Sequence, residues 1–141
     1  MTFARMTLLL VAVLHFTWGL LLLVYGPIHS TELAWLMKYA LGATPAGLIL
    51  IALSTWTILI AARVTSHRSL ANSIALALSM FTVMAPAAGS VAQVIAGRYA
   101  DGAAYPREFI FTGQSNTILL AFLYIVAVIR LYNERQWTPQ R

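Results

Sequence analysis

The chain has 141 residues, of which 60% are hydrophobic, 9% charged and none cysteine, with a formal net charge of +5 and a mean hydropathy of +0.79. A soluble globular domain carries about 25% charged residues, so an ordinary soluble enzyme is excluded. The missing thiols exclude disulfide exchange, including the quinone-coupled four-helix oxidases, and thiolate metal sites.

Four apolar stretches follow one another, at 6–25, 46–62, 70–95 and 109–131, and only Arg130 places a charge inside any of them. Each is near or above the ~20 residues an α-helix needs to cross a bilayer core. The predicted fold class is therefore an all-α integral membrane protein: an antiparallel bundle of four transmembrane helices in one domain, 1–141. No repeat with a period of 20–50 residues and no low-complexity segment interrupts it.

In the first stretch Arg5 precedes the apolar run as it would in a signal peptide. The run is longer than a 7–15-residue h-region and no A-x-A-like site follows, so a retained helix is expected. The loop Gly26–Thr44 reads as holding an interfacial helix over 31–41, with Ser30 or Thr31 as cap, Glu32 at the positive dipole end and Gly42 as terminator. Leu33, Leu36, Met37, Ala40 and Leu41 recur at steps of three and four, while Trp35, Lys38 and Tyr39 are interfacial types. The second span then starts with Thr44 as cap and Pro45 at its first helical position. The tight turn Thr65–Ser69 makes the second and third spans antiparallel neighbours. Asp101-Gly102 signals a turn in the next loop, Pro106 opens the fourth span, and 132–141 forms a tail. Tyr25, Trp35, Tyr39, Tyr99, Tyr105 and Phe109 suggest one aromatic belt; Phe3, Tyr132 and Trp137 mark the other.

Charges at the span ends set the orientation. Arg5, Arg63, Arg68, Arg130, Arg135 and Arg141 lie on one side; Lys38, Arg98 and Arg107 lie on the other, beside Glu32, Asp101 and Glu108. The positive-inside rule places the first group, and both termini, in the cytoplasm, which an even number of spans requires. Arginine outnumbers lysine eight to one, a codon bias of GC-rich bacterial or phage genomes, so a bacterial cytoplasmic (inner) membrane is the expected location. The basic residues sit at span ends instead of forming a patch, so the partners expected are the lipid bilayer, further copies of the chain or other membrane subunits, and no nucleic acid.

Each span carries one line of small or polar residues: Ala12, His15, Gly19 and Gly26 on the first; Ala43, Gly47, Leu50, Ser54, Thr57 and Ala61 on the second; Asn72, Ala75, Ser79, Thr82, Pro86, Ser90 and Gln93 on the third; Gln114, Thr117, Ala121 and Tyr124 on the fourth. In lipid such lines let backbones approach and hydroxyls or amides bond across the contact. They are either the inner faces of a left-handed bundle or the lining of a polar path, and the third span offers the most continuous line.

Three features are candidates for function. His15 is the one ionisable residue near a bilayer midplane; it is expected neutral and bonded to a partner helix at the depth of Ser54, Thr82 or Tyr124, with proton relay or ligand contact as the functional alternative. Pro86 interrupts the backbone ladder of a span long enough to tilt or bend, freeing the Thr82 carbonyl, as at gates and in ordinary membrane helices alike. Gln93 with Gln114, Ser115, Asn116 and Thr117 makes a polar cluster too large to face lipid, which suits interhelical bonding or a hydrated vestibule. His29 and His67 fall in loops on opposite sides, so no haem and no other cofactor or metal is expected. No Walker, HExxH or paired-carboxylate motif is present, so no catalysis is expected.

The outline of four short-looped helices with both ends inside resembles DoxX-type membrane proteins and is similar in size to some phage holins; it carries over no functional residue. Two functions follow from the residues themselves. One is a small non-catalytic accessory or assembly subunit acting through helix contacts. The other is a homo-oligomeric pore, holin-like or a small channel, lined by Ser79, Thr82 and Ser90; a carrier or quinone-site protein centred on His15 is a third.

Overall fold

A computed structural model of the chain describes residues 2–27, 36–38, 40–97 and 113–134. Among these residues the secondary structure is entirely helical, in four long elements: α1 (Phe3–Tyr25), α2 (Ala43–Ala61), α3 (Leu70–Ala96) and α4 (Gly113–Asn133). The first three are long and apolar enough to cross a membrane; the apolar part of α4 described with them, Thr117–Asn133, is shorter.

Neighbouring helices run antiparallel. Arg5 near the start of α1 reaches Ile60 and Ala61 at the end of α2, Thr57 of α2 meets Ser79 of α3, and Ser79 meets Tyr124 of α4. Close backbone approaches join α1 to α2, α2 to α3, α3 to α4 and α4 back to α1, while the diagonal pairs meet only through side chains in the core. The α2–α3 hairpin foreseen from its short turn is present, yet it is the least extensive of the four pairings, and α1–α2 is the closest.

That closeness has a local cause. Gly19 and Gly47 face each other, and a Cβ built on Gly47 would lie 2.8 Å from the Gly19 carbonyl oxygen and 3.1 Å from Leu23. A Cβ on Gly19 would lie 2.9 Å from the Gly47 carbonyl oxygen and 2.8 Å from Ile51. Only glycine allows two backbones this near, the small-residue packing typical of helices in lipid.

The ends of the helices correct several expectations. α2 begins at Ala43 with Gly42 as its N-cap, so Pro45 is the third helical residue and Thr44 is not the cap. Of the interfacial helix over 31–41, only 36–38 and the turn after it fall within the described residues. There the Gly42 N–H donates to the Met37 carbonyl over 2.9 Å, and Leu41 (φ 62°), not Gly42, takes the left-handed position that ends the turn. Leu36 is buried against Leu22, Ala46 and Leu50, so this turn packs on α1 and α2. α3 starts where Ser69 caps the Asn72 N–H and ends at Gly97 in the left-handed conformation. Trp35, Tyr39, Tyr99, Tyr105, Pro106, Phe109, Trp137 and the Asp101-Gly102 turn lie outside the described residues.

Candidate functional site

The lines of small and polar residues face inward. Ala43, Gly47, Leu50, Ser54, Thr57 and Ala61 of α2 are buried, as are Asn72, Ala75, Ser79, Thr82, Pro86 and Ser90 of α3. On α4 Thr117, Ala121 and Tyr124 are buried.

At mid-span these lines make one hydroxyl cluster. The Tyr124 hydroxyl donates to Ser79 Oγ over 3.0 Å, and Thr57 Oγ1 meets the same Ser79 oxygen at 3.2 Å. Thr82 Oγ1 donates to the Ser79 carbonyl over 2.7 Å. Three helices are thus joined through one serine, inside an apolar core that includes Leu8, Val11, Leu76 and Val83. Ser54 donates within its own helix, to the carbonyls of Leu50 and Ile51. Nearer the turn, Trp56 Nε1 donates to Asn72 Oδ1 over 2.6 Å, and Asn72 Nδ2 donates to the Ser66 carbonyl over 2.5 Å.

Beside the cluster lies a cavity of about 20 Å³, lined by His15, Trp18, Leu36, Leu50, Thr82, Val83, Pro86, Thr117 and Leu120. Such a volume holds about one water molecule. It brings together His15, Thr82, Pro86 and Thr117 from three helices. His15 is half-buried and makes no hydrogen bond to another described residue, so the bond expected to Ser54, Thr82 or Tyr124 is not formed. Those hydroxyls are closer to other acceptors. Ser90 is buried with its hydroxyl unpartnered among the described residues, and Gln93 is half-buried on the last turn of α3. The side chains of Gln114, Ser115 and Asn116 lie outside the described residues, as does His29. No three His, Cys, Asp or Glu side chains come together among the described residues.

The most elaborate polar arrangement lies elsewhere, at the end of the molecule that carries Thr2 and Glu134. Arg5 is buried at 6% exposure. Its Nε donates to Glu134 Oε2 over 3.0 Å, and its Nη1 donates to the carbonyls of Ile60 at 2.7 Å and Ala61 at 3.3 Å. The guanidinium therefore closes the carbonyl end of α2 and ties it to the end of α4. Thr2 Oγ1 donates to the other Glu134 carboxylate oxygen, and Arg68 Nη2 donates to the Glu134 backbone carbonyl over 3.1 Å. Burial works against the Glu134 carboxylate, but the Thr2 hydroxyl and the charges of Arg5 and Arg63 outweigh it and hold its pKa below the ordinary value of 4.5.

His67, in the α2–α3 turn, is buried in the same region and stands edge-on to Tyr132, with ring centroids 5.2 Å apart. The Tyr132 hydroxyl lies 3.2 Å from the His67 carbonyl and 2.8 Å from Ser73 Oγ, so Tyr132 works here as an internal tie. The imidazole Nε2 is buried and unpartnered. Burial, then the nearby charges of Arg5 and Arg68, push its pKa below 6.5, and Glu134 only partly offsets them. His67 is accordingly neutral near pH 7.

The sequence offers Arg5 only as a charge that sets orientation and His67 only as a loop residue, and it gives Glu134 no role. Comparison with protein-family models, with curated proteins and with solved structures returns no match.

Proposed function

We propose that the chain forms a four-helix transmembrane bundle with both termini on the cytoplasmic side of a bacterial inner membrane, and that it serves as a non-catalytic subunit of a larger membrane assembly. Four mutually packed helices with an excess of arginine at one end support the placement. The subunit role rests on one observation: the hydroxyls that would line a path, Ser79 and Thr82, are bonded to Thr57, Tyr124 and the α3 backbone inside the protomer. Hydroxyls committed to bonds inside the protomer offer a passing ion little coordination, and of the three named for a pore Ser90 alone is without a partner among the described residues. Large apolar side chains instead cover the outer surface, among them Leu10, Leu20, Leu48, Phe81, Leu119 and Phe122. That surface meets lipid or the helices of other subunits.

Native mass spectrometry of the protein released mildly from its own membrane tests the role. Co-migration with a different polypeptide at fixed stoichiometry is the expected result. Recovery as a homo-oligomer that conducts ions in planar bilayers would overturn it in favour of the pore. Because the chain has no cysteine, orientation is testable with single introduced thiols. Gly97→Cys should react with an impermeant maleimide on intact cells, and Ser66→Cys only after permeabilisation.

A further inference from the structure

Between the start of α1 and the end of α2 an open cleft of about 310 Å³ is lined by Arg5, Ala61, Ala62 and Arg63. We propose that this cleft binds the phosphate of an anionic phospholipid headgroup, held by the Arg5 and Arg63 guanidinium groups.

Charge balance makes the first argument. The three guanidinium groups of Arg5, Arg63 and Arg68 surround the single carboxylate of Glu134: Arg5 pairs with it, Arg63 bears on its charge, and Arg68 holds its backbone carbonyl. Three positive charges against one negative leave two in excess. The helix dipoles do not cancel that excess, because two N-termini (α1 and α3) and two C-termini (α2 and α4) meet at this end and oppose one another. His67 is neutral and adds nothing.

Donor supply is the second. Arg5 uses Nε on Glu134 and Nη1 on the α2 carbonyls, while no described hydrogen bond uses Nη2. Planar guanidinium donors match phosphate oxygens in pairs.

The third argument is backbone conformation. Arg63 has φ 62°. It closes α2 with its own N–H on Ile60 O at 3.1 Å and the Val64 N–H on Leu59 O at 2.9 Å. Glycine normally fills this left-handed position, and any side chain there is strained. An arginine at such a place brings charge to the cleft mouth at a conformational cost, the combination found where strain serves binding.

The inference does not depend on the subunit role. It needs only this end to lie at a bilayer surface, which the Ser66→Cys labelling checks separately.

The full chain in detergent, titrated with phosphatidylglycerol or with phosphatidylcholine and read by native mass spectrometry, supplies the test. Phosphatidylglycerol should bind preferentially. Arg63→Gly should weaken it about fivefold while the melting temperature holds or rises, because the strain is relieved. Arg63→Gln keeps the strain, loses the charge, and should weaken binding equally. Arg130→Gln, at a guanidinium that instead lies 5.9 Å over the Phe3 ring, should change nothing. Equal binding of the two lipids, or Arg63 variants that bind like the parent, would overturn the proposal. Competition by millimolar inorganic phosphate that Arg63→Gly abolishes would assign the cleft to the free anion and overturn the lipid as its source.

Discussion

The α1–α2 contact and the contacts of α3 hold helices together by different means. Toward the end of α1 and in the first turns of α2 the two helices meet backbone to backbone at Gly19 and Gly47, so the attraction is dispersion over a close approach. α3 stands farther from its neighbours and is joined to them through Ser79, which serves Thr57 on one side and Tyr124 on the other. Lipid tails are as apolar as leucine, so neither contact can rely on the hydrophobic effect. Packing of this kind tolerates no added atom, whereas a hydroxyl network loses one bond at a time. The two halves should therefore fail differently.

Gly47→Leu should give the largest effect, about 3 kcal/mol of destabilisation, because the new side chain meets a carbonyl and Leu23 with no room to turn. Thermal unfolding in detergent should show it, or the variant should fail to accumulate. Gly89→Ala is the control: a Cβ there meets nothing within 4 Å, and helix propensity should make it neutral or stabilising by up to about 1 kcal/mol. If both glycines tolerate substitution alike, the close-approach account of α1–α2 is wrong.

Next in size is Arg5→Leu, at about 2 kcal/mol. It leaves Glu134 without its paired cation and removes the Arg5 bonds to the carbonyl end of α2. The figure falls below the 3–5 kcal/mol of a fully buried broken pair, because the Glu134 side chain keeps 20% exposure and the Thr2 bond. Arg5→Lys should rescue only part of the loss, since a single ammonium cannot reach both Glu134 and the α2 carbonyls in the fork geometry of arginine. Amide hydrogen exchange should rise first at residues 59–65, where the α2 end is released. Uniform protection there would mean that Arg5 is dispensable to the α2 end.

Ser79→Ala should cost about 1 kcal/mol, and Tyr124→Phe about half of that, in line with interhelical hydrogen bonds in membranes. The serine matters more because its removal cuts the links to both Tyr124 and Thr57, although Thr57 keeps its bond to the Leu53 carbonyl, while the phenylalanine leaves the Thr57–Ser79 bond in place. A Ser79→Ala penalty equal to that of Gly47→Leu would erase the distinction between the two kinds of contact.

Much of this interior was legible in the sequence. Asn72, Ala75, Ser79, Thr82, Pro86 and Ser90 mark the buried face of α3 because steps of three and four return to one side of a helix, and because small and polar residues in a membrane chain seek protein over lipid. The terminal end was not legible. Arg5 bonds to residues 55 and 129 positions away, and no periodicity connects them. A charge near the end of an apolar stretch reads as a topology marker, and only the antiparallel packing of three helices turns it into a cap. The His15 expectation failed for a related reason: depth alone suggested Ser54, Thr82 and Tyr124 as partners, but serine and threonine on helices are closest to their own backbone carbonyls. Leu41 and Arg63 in left-handed positions were equally invisible, since the sequence rule looks for glycine there.

Acid offers the gentlest way to separate the terminal end from the mid-span contacts, because the hydroxyl cluster does not titrate and the terminal end does. The His67 imidazole faces Arg5 and Arg68, with Glu134 opposing them and Tyr132 edge-on. Its folded pKa lies below 6.5, so the unfolded chain binds the proton more readily. The stabilisation is then complete above pH 6.5 and declines as pH falls below it. Glu134 has a folded pKa below 4.5, so its contribution is present above pH 4.5 and declines as the carboxylate protonates. Both slopes have the same sign, and they occupy successive windows. Melting temperature should therefore fall in two steps as pH drops from 7 toward 3. His67→Phe preserves the edge contact with Tyr132, removes a buried unpartnered nitrogen, and should flatten the first step only. Glu134→Gln should flatten the second. A profile that the two variants leave unchanged would place the acid sensitivity outside this end of the molecule, with His15 of the interior cavity as the group to replace next.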